Sequence, residues 1–97
     1  MTSQVVGRLT QALLKNSYTI GIVTVYLFGS CLVDGASPND VDILIIYSDV
    51  EQPPIIRAIL EAVDLPLPLH LLFMLPAEES ETKFIQSQGC RKIFPIN

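Results

Sequence analysis

The fold is decided by Leu27-Phe28-Gly29-Ser30 and, nine residues later, by Asp40-Val41-Asp42-Ile43. Apolar, β-branched and aromatic residues surround both motifs and predict strands at residues 19–28 and 41–47, joined by a loop with at most one helical turn. Gly29 lets a ligand approach the backbone closely, and free N–H groups at the turn that follows favour anions. The stretch therefore predicts two neighbouring strands with polar groups at one rim.

The two aspartates face the same side of the second predicted strand. Alternate residues of a strand share a face, so the Cα atoms of Asp40 and Asp42 are expected about 6.5–7 Å apart. Such a pair can hold one or two Mg²⁺ ions, which accept phosphate oxygens and can clamp an in-line phosphoryl displacement. With Gly29 and Ser30 as a small phosphate cradle, these residues predict a site for a nucleoside triphosphate with magnesium.

A plainer interpretation stays open for the same residues. Gly29 can simply end a strand, Ser30 can cap a turn, and Asp42 can be a lone edge carboxylate. This interpretation leaves unexplained a second aspartate that faces the same way in an otherwise apolar strand, where an unpaired charge is unfavourable.

The flanking segments complete an α+β (mixed α/β) pattern. Apolar residues recur at helical spacing over residues 4–15 and 55–63, and in the second segment Arg57 and Glu61 can pair four residues apart. Residues 67–75 predict a third strand, residues 78–87 a short helix ended by Gly89, and residues 90–97 a tail. We therefore expect one domain over residues 1–97, with a mixed three-stranded sheet and helices packed against it.

Composition excludes several classes of function. The chain has 97 residues, of which 49% are hydrophobic, and a formal net charge of -4, which excludes a disordered chain. Its 6 basic residues are scattered, so no direct nucleic-acid partner is expected. The longest apolar run, residues 65–77, is shorter than the about 20 residues of a spanning helix. A mean hydropathy of +0.45 predicts apolar surface left for a second copy, as in a homo-oligomer, or for another protein.

The cysteines indicate a reducing compartment. Cys31 and Cys90 form no CxxC pair, which argues against a disulfide scaffold and a zinc site. No secretory signal is visible, so we expect a cytoplasmic protein. Cys31 lies beside Ser30 and is either a reactive thiol or, as we prefer, a small buried hydrophobe.

On these residues the chain resembles the minimal nucleotidyltransferases of the DNA polymerase β-like superfamily. Their pattern is an apolar residue, Gly, Gly or Ser, a short spacer, and then Asp, apolar, Asp or Glu, apolar. Phe28-Gly29-Ser30 and Asp40-Val41-Asp42-Ile43 match every position. The resemblance implies a nucleotidyltransferase fold in which Gly29 and Ser30 contact the triphosphate of the substrate, expected to be ATP, and Asp40 and Asp42 bind magnesium.

Two departures from the family bear on catalysis. Members carry a third carboxylate on the next strand, whereas the third predicted strand has no Asp or Glu and His70 stands about where that carboxylate would be. A neutral imidazole can bind metal or accept a proton, and His70 can equally be a core-edge histidine with a satisfied hydrogen bond. Asp64 would need a bent path to reach the site. The loop after Ser30 also lacks the basic residue of many relatives, which predicts weak triphosphate affinity.

Two functions follow from the resemblance. The first is an enzyme that transfers a nucleoside monophosphate from the NTP–Mg complex to a hydroxyl on a partner protein, with Asp40, Asp42 and His70 as catalytic residues. Minimal nucleotidyltransferases often act as antitoxins on a helical ribonuclease, so such a toxin is an expected partner. The second is a catalytically degenerate module that binds or neutralises its partner. A third hypothesis is an unrelated small α/β domain in which the motif is accidental.

Overall fold

The computed structural model describes residues 2–33 and 38–95 of the chain. Its elements in chain order are α1 (Thr2–Lys15), α2 (Ser17–Ile20), β1 (Thr24–Phe28), a 3₁₀ turn (Gly29–Leu32), β2 (Val41–Ile46), α3 (Gln52–Glu61), β3 (Leu69–Met74), α4 (Pro76–Thr82), α5 (Phe84–Gln88) and β4 (Arg91–Phe94). Residues 34–37 of the predicted loop and the last two residues of the predicted tail lie outside the described residues.

The strands form one mixed sheet in the order β3-β2-β1-β4. β1 lies antiparallel to β2 and to β4, and β2 lies parallel to β3 across the α3 connection. The mixed α/β class is confirmed. The prediction of three strands is wrong, because β4 adds a fourth at the edge of the sheet.

Strand β4 lies where the sequence predicts a tail. Its first two residues, Arg91 and Lys92, are exposed, and its last two, Ile93 and Phe94, are buried. The register of the pairing between β4 and β1 also shifts partway along β1. A short segment with its charges at one end lacks the alternation by which a strand is recognised, and the burial of two apolar side chains holds it in place.

The main core lies between one face of the sheet and helices α1 and α3. On α1 the buried residues Val5, Leu9 and Leu13 recur every four positions and form one stripe along the helix. Helix α3 presents Ile56 and Leu60 in the same way. The strands contribute their inward residues, Val25, Leu27, Val41, Ile43 and Ile45. Removal of this apolar set from water is the main favourable contribution to folding.

A smaller apolar layer covers part of the opposite face. Leu27 and Phe28 are consecutive in β1, so Phe28 points away from the core that Leu27 enters. The Phe28 ring meets the ring of Phe84, at the start of α5, edge to face with centroids 5.0 Å apart. Helix α4 contacts β3. The α4–α5 segment therefore packs near the end of β1, where the Gly29-Ser30 turn begins.

Two predicted segments are interrupted. The strand predicted at residues 19–28 begins only at Thr24, because the Thr19 and Ile20 N–H groups both donate to the Asn16 carbonyl, at 3.0 Å, and close helix α2. The helix predicted at residues 78–87 is divided into α4 and α5 by Lys83, whose φ of 53° is left-handed. No glycine marks this break, so the sequence pattern passes over it.

Gln52, at the start of α3, joins two loops at one end of the sheet. Its side-chain amide donates to the carbonyls of Ile20 at 2.7 Å and Ile22 at 3.1 Å. Its side-chain oxygen accepts from the N–H groups of Ser48 and Asp49, each at 2.9 Å. All of this buried amide's contacts are to backbone groups, so Gln52 fixes the loops before β1 and after β2 relative to each other.

The other elements lie close to prediction. The Arg57–Glu61 pair forms on α3 at 3.3 Å, and Gly89 ends α5 with a φ of 60°. One helical turn follows β1, at Gly29–Leu32, as predicted.

Within the described residues, no helix combines the length and the apolar composition needed to cross a membrane.

Candidate functional site

The structure brings three of the predicted site residues, Asp40, Asp42 and His70, together at one rim of the sheet. Asp42 is the second residue of β2, and it lies opposite Phe28 of β1 on one side and His70 of β3 on the other. Asp40 comes two residues earlier, just before β2 begins. The His70 Nδ1 atom lies 3.2 Å from Asp40 Oδ2 and 3.5 Å from Asp42 Oδ1. Both carboxylates therefore face the same ring nitrogen.

This group is open to solvent on one side. The exposed side-chain fractions are 30% for Asp40, 23% for Asp42 and 63% for His70. One ligand atom from each residue lies within 4.8 Å of the other two. The residues are thus grouped closely enough to bind a metal ion, and a bound ion would still be accessible to water and to a phosphate.

The electrostatics of the site favour a cation. Burial raises the pKa of the Asp42 carboxyl above its ordinary value, the charge of Asp40 raises it further, and His70 opposes both effects. Among the described residues, no lysine or arginine lies within ion-pair distance of either aspartate. The two carboxylates therefore repel each other, and a divalent cation between them would relieve this repulsion.

Gly29 is required at the site for a reason that the sequence did not reveal. It begins the turn after β1 with a φ of +81°, and a Cβ placed on it would overlap Asp42 Oδ2. The sequence predicts a glycine that admits a ligand, whereas the structure shows a glycine that admits the Asp42 carboxylate. Ser30 follows Gly29 in the 3₁₀ turn and is partly buried.

Cys31 is a structural residue of the turn. It is 7% exposed, and its thiol donates to the Asp40 carbonyl at 3.4 Å. Its own carbonyl accepts a hydrogen bond from the Thr2 hydroxyl at 3.2 Å. Burial raises the pKa of this thiol, and the charges of Asp42 and Asp40 raise it further, so the thiol stays protonated. This supports the buried-hydrophobe interpretation over the reactive thiol.

His70 takes the third position of the group, and Asp64 does not. The parallel register of β2 and β3 places His70 directly beside Asp42, and its ring is too exposed for a core-edge residue. Asp64 is exposed and absent from the group, and its backbone carbonyl accepts a 2.7 Å hydrogen bond from Arg8. The bent path that would bring Asp64 to the aspartates is therefore not formed.

The donor set fits a divalent cation. Two carboxylates supply oxygen ligands of the kind that Mg²⁺ and Mn²⁺ prefer, and an imidazole nitrogen adds a ligand favoured by transition metals. A structural zinc site would instead require four protein ligands that fill every coordination position, and these are commonly thiolates. Cys31, the cysteine beside the group, directs its thiol to the Asp40 carbonyl oxygen.

Comparison with protein-family models and with curated proteins finds no match to this chain. The resemblance to minimal nucleotidyltransferases therefore depends on the Gly29-Ser30 and Asp40-Val41-Asp42 motifs. The geometry adds that these two motifs lie in contact, through Gly29 and Asp42.

Proposed function

We propose that this chain binds a nucleoside triphosphate through a divalent cation and transfers its nucleoside monophosphate to a hydroxyl on a partner protein. The observation that carries the proposal is the convergence of Asp40, Asp42 and His70 on one point beside the Gly29 turn. Carboxylates on a strand end next to a tight turn suit a metal-held polyphosphate. Mg²⁺ is the cation, and ATP the nucleotide, that the family resemblance implies.

Each residue of the site has a separate task in this reaction. Asp40 and Asp42 hold the cation, which when bound neutralises phosphate charge and polarises the attacked phosphorus. Gly29 leaves the space in which the Asp42 carboxylate lies. Ser30 offers a hydroxyl and backbone at the turn, where the resemblance places the triphosphate. Asp42 lies on β2, and Asp40 and the Gly29–Ser30 turn directly adjoin the ends of β2 and β1, which holds these groups in place.

The transfer balances as a displacement at the α-phosphorus. The acceptor hydroxyl oxygen forms a bond to that phosphorus, and the bond to the oxygen bridging the β-phosphorus breaks. Pyrophosphate leaves with the bonding electrons, and the hydroxyl proton passes to solvent. The 63% exposure of the His70 side chain leaves it accessible to an incoming acceptor.

A partner protein supplies the acceptor in this proposal. Several large apolar side chains are well exposed, with Tyr18, Ile22 and Val50 the most so. Such side chains suit contact with another protein or a second copy of the chain. A helical ribonuclease toxin as partner, antitoxin action and a cytoplasmic location follow from the resemblance and from the free cysteines, and they belong to the same proposal.

The second candidate is a module that keeps the fold and acts by binding alone. The specific observation in its favour is His70, since the third ligand position holds an imidazole where the family has a carboxylate. In this case the protein neutralises its partner without modifying it. Tight binding to the partner with no nucleotide binding would favour this candidate.

The test is a transfer assay with NTPs labelled at the α-phosphate, a divalent cation and the product of the neighbouring gene. Wild type is compared with Asp42→Asn and with the matched control Asp64→Asn, an exposed carboxylate outside the site. The proposal predicts label on the partner with wild type and Asp64→Asn, and none with Asp42→Asn. No label with any NTP, or equal label with all three proteins, contradicts it.

A further inference from the structure

We propose that His70 is a direct metal ligand, through Nδ1, and that it makes the site prefer Mn²⁺ to Mg²⁺. The inference rests on the proposed function only in taking Asp40 and Asp42 as the cation site. It differs from the expectation of the resemblance, in which magnesium is bound by carboxylates alone.

The three ligand atoms lie close enough together for their side chains to share one ion. Two adjacent ligand atoms at about 2.1 Å from an octahedral ion are about 3.0 Å apart. His70 Nδ1 is 3.2 Å from Asp40 Oδ2 and 3.5 Å from Asp42 Oδ1. The ligand atoms all lie within 4.8 Å of one another, so rotation of the side chains would let all three bind the same ion.

The backbone holds His70 in this position. His70 pairs with Asp42 in the parallel β2–β3 ladder. At the start of these strands, the Val41 N–H donates to the Pro68 carbonyl at 2.8 Å. The ring therefore projects from a hydrogen-bonded strand and not from a free loop. Ligands fixed on strands hold a coordination geometry better than ligands on loops.

The donor chemistry decides between the two ions. Mg²⁺ is a hard ion that binds oxygen ligands largely through charge, and it keeps several waters. Replacing a third carboxylate by a neutral imidazole removes one negative charge, which weakens the attraction of Mg²⁺. Imidazole is a good ligand for first-row transition ions, and carboxylates suit Mn²⁺ as well. The change from carboxylate to His70 thus lowers Mg²⁺ affinity more than Mn²⁺ affinity.

The experiment uses the full chain with any affinity tag removed, because His70 is then the only histidine present. Electron paramagnetic resonance of added Mn²⁺, without nucleotide, gives the affinity, and competition with Mg²⁺ gives the preference. Pulsed measurement of the bound Mn²⁺ detects nitrogen coordination directly. In this chain an imidazole nitrogen signal can come only from His70.

We expect nitrogen coupling in wild type and an Mn²⁺ affinity at least about tenfold above that of Mg²⁺. His70→Gln should lose the nitrogen signal and about tenfold or more of the Mn²⁺ affinity, while Mg²⁺ affinity changes less than about threefold. His70→Asp should narrow the preference by improving Mg²⁺ binding. Asp64→Asn, the matched control, should leave both affinities unchanged.

Bound Mn²⁺ without nitrogen coupling, or equal affinity for the two ions, would overturn the inference, and the wild-type spectrum decides this even if a variant fails to fold. Addition of a non-hydrolysable ATP analogue then separates this inference from the proposed function. Nitrogen coupling with no nucleotide binding upholds the metal site and contradicts the transferase. Nucleotide binding with an all-oxygen ion upholds the transferase and contradicts the role of His70.

Discussion

Gly29→Ala should damage the metal site far more than it damages the fold. The residue has a φ of +81°, where alanine is strained by about 1–2 kcal/mol. The added Cβ would also overlap Asp42 Oδ2 and come within 3.2 Å of Asp42 Cγ. Because the overlapping oxygen is at the end of a short rotatable side chain, the carboxylate can turn aside at little further expense in stability. It would then leave the point that it shares with His70.

Gly89→Ala is the matched control for this variant. Gly89 also has a left-handed φ, of +60°, and a Cβ added there meets nothing within 4 Å. Its substitution therefore introduces the backbone strain without touching the aspartates. Both variants should lose about 1–2 kcal/mol of unfolding free energy, whereas only Gly29→Ala should lose metal affinity, by about tenfold or more.

The assay combines urea unfolding in EDTA, which gives the stability of each variant without metal, with an Mn²⁺ titration of the folded protein. Stability changes are compared from unfolding midpoints at constant slope. If Gly29→Ala binds metal as tightly as Gly89→Ala at equal stability, the contact between Gly29 and Asp42 has no role in the site.

Three further predictions concern stability. Burial and Asp40 raise the pKa of Asp42, so its contribution to stability is present below its ordinary pKa of 3.8 and is lost as pH rises through the folded value. In EDTA, Asp42→Asn should therefore be more stable than wild type at neutral pH, and the difference should shrink as pH falls towards 3.8; a pH-independent difference in urea unfolding would contradict this. Leu13→Ala should lose about 2–5 kcal/mol, because Leu13 is 0% exposed, while its neighbour Leu14 is 61% exposed and Leu14→Ala should lose less than about 0.5 kcal/mol. Equal urea midpoints for these two variants would show that the core stripe of α1 is misplaced. Gln52→Leu leaves four backbone groups without their partner and should lose at least about 2 kcal/mol, and a neutral result in thermal unfolding would contradict the joining role of this amide.

The sequence predicts well the elements whose apolar residues recur with a regular period. The apolar stripe of α1 and the apolar run of β2 each have one dominant period, and both elements lie within two residues of prediction. The sequence does not predict helix α2 or strand β4, because both depend on contacts that no local pattern shows. Thr19 and Ile20 favour a strand by type, yet backbone hydrogen bonds to Asn16 close a helical turn, and β4 depends on pairing with a strand distant in sequence.

The sequence predicts which residues form the site, but it does not predict the contacts between them. Alternation along one strand suffices to place Asp40 and Asp42 on one side. The position of His70 beside Asp42 depends on the register of two parallel strands joined through α3, which no local pattern specifies. The packing of Gly29 against Asp42 likewise requires the antiparallel register of β1 and β2. Tertiary pairing therefore turns a two-carboxylate motif into a three-ligand group.

Crystals soaked in Mn²⁺ with a non-hydrolysable ATP analogue, measured by anomalous scattering at the manganese edge, would show whether this site holds a nucleotide-bound ion. We expect an anomalous peak among Asp40, Asp42 and His70, with phosphate oxygens of the analogue beside it. Well-ordered carboxylates with no peak between them, or a nucleotide bound elsewhere on the molecule, would contradict this expectation.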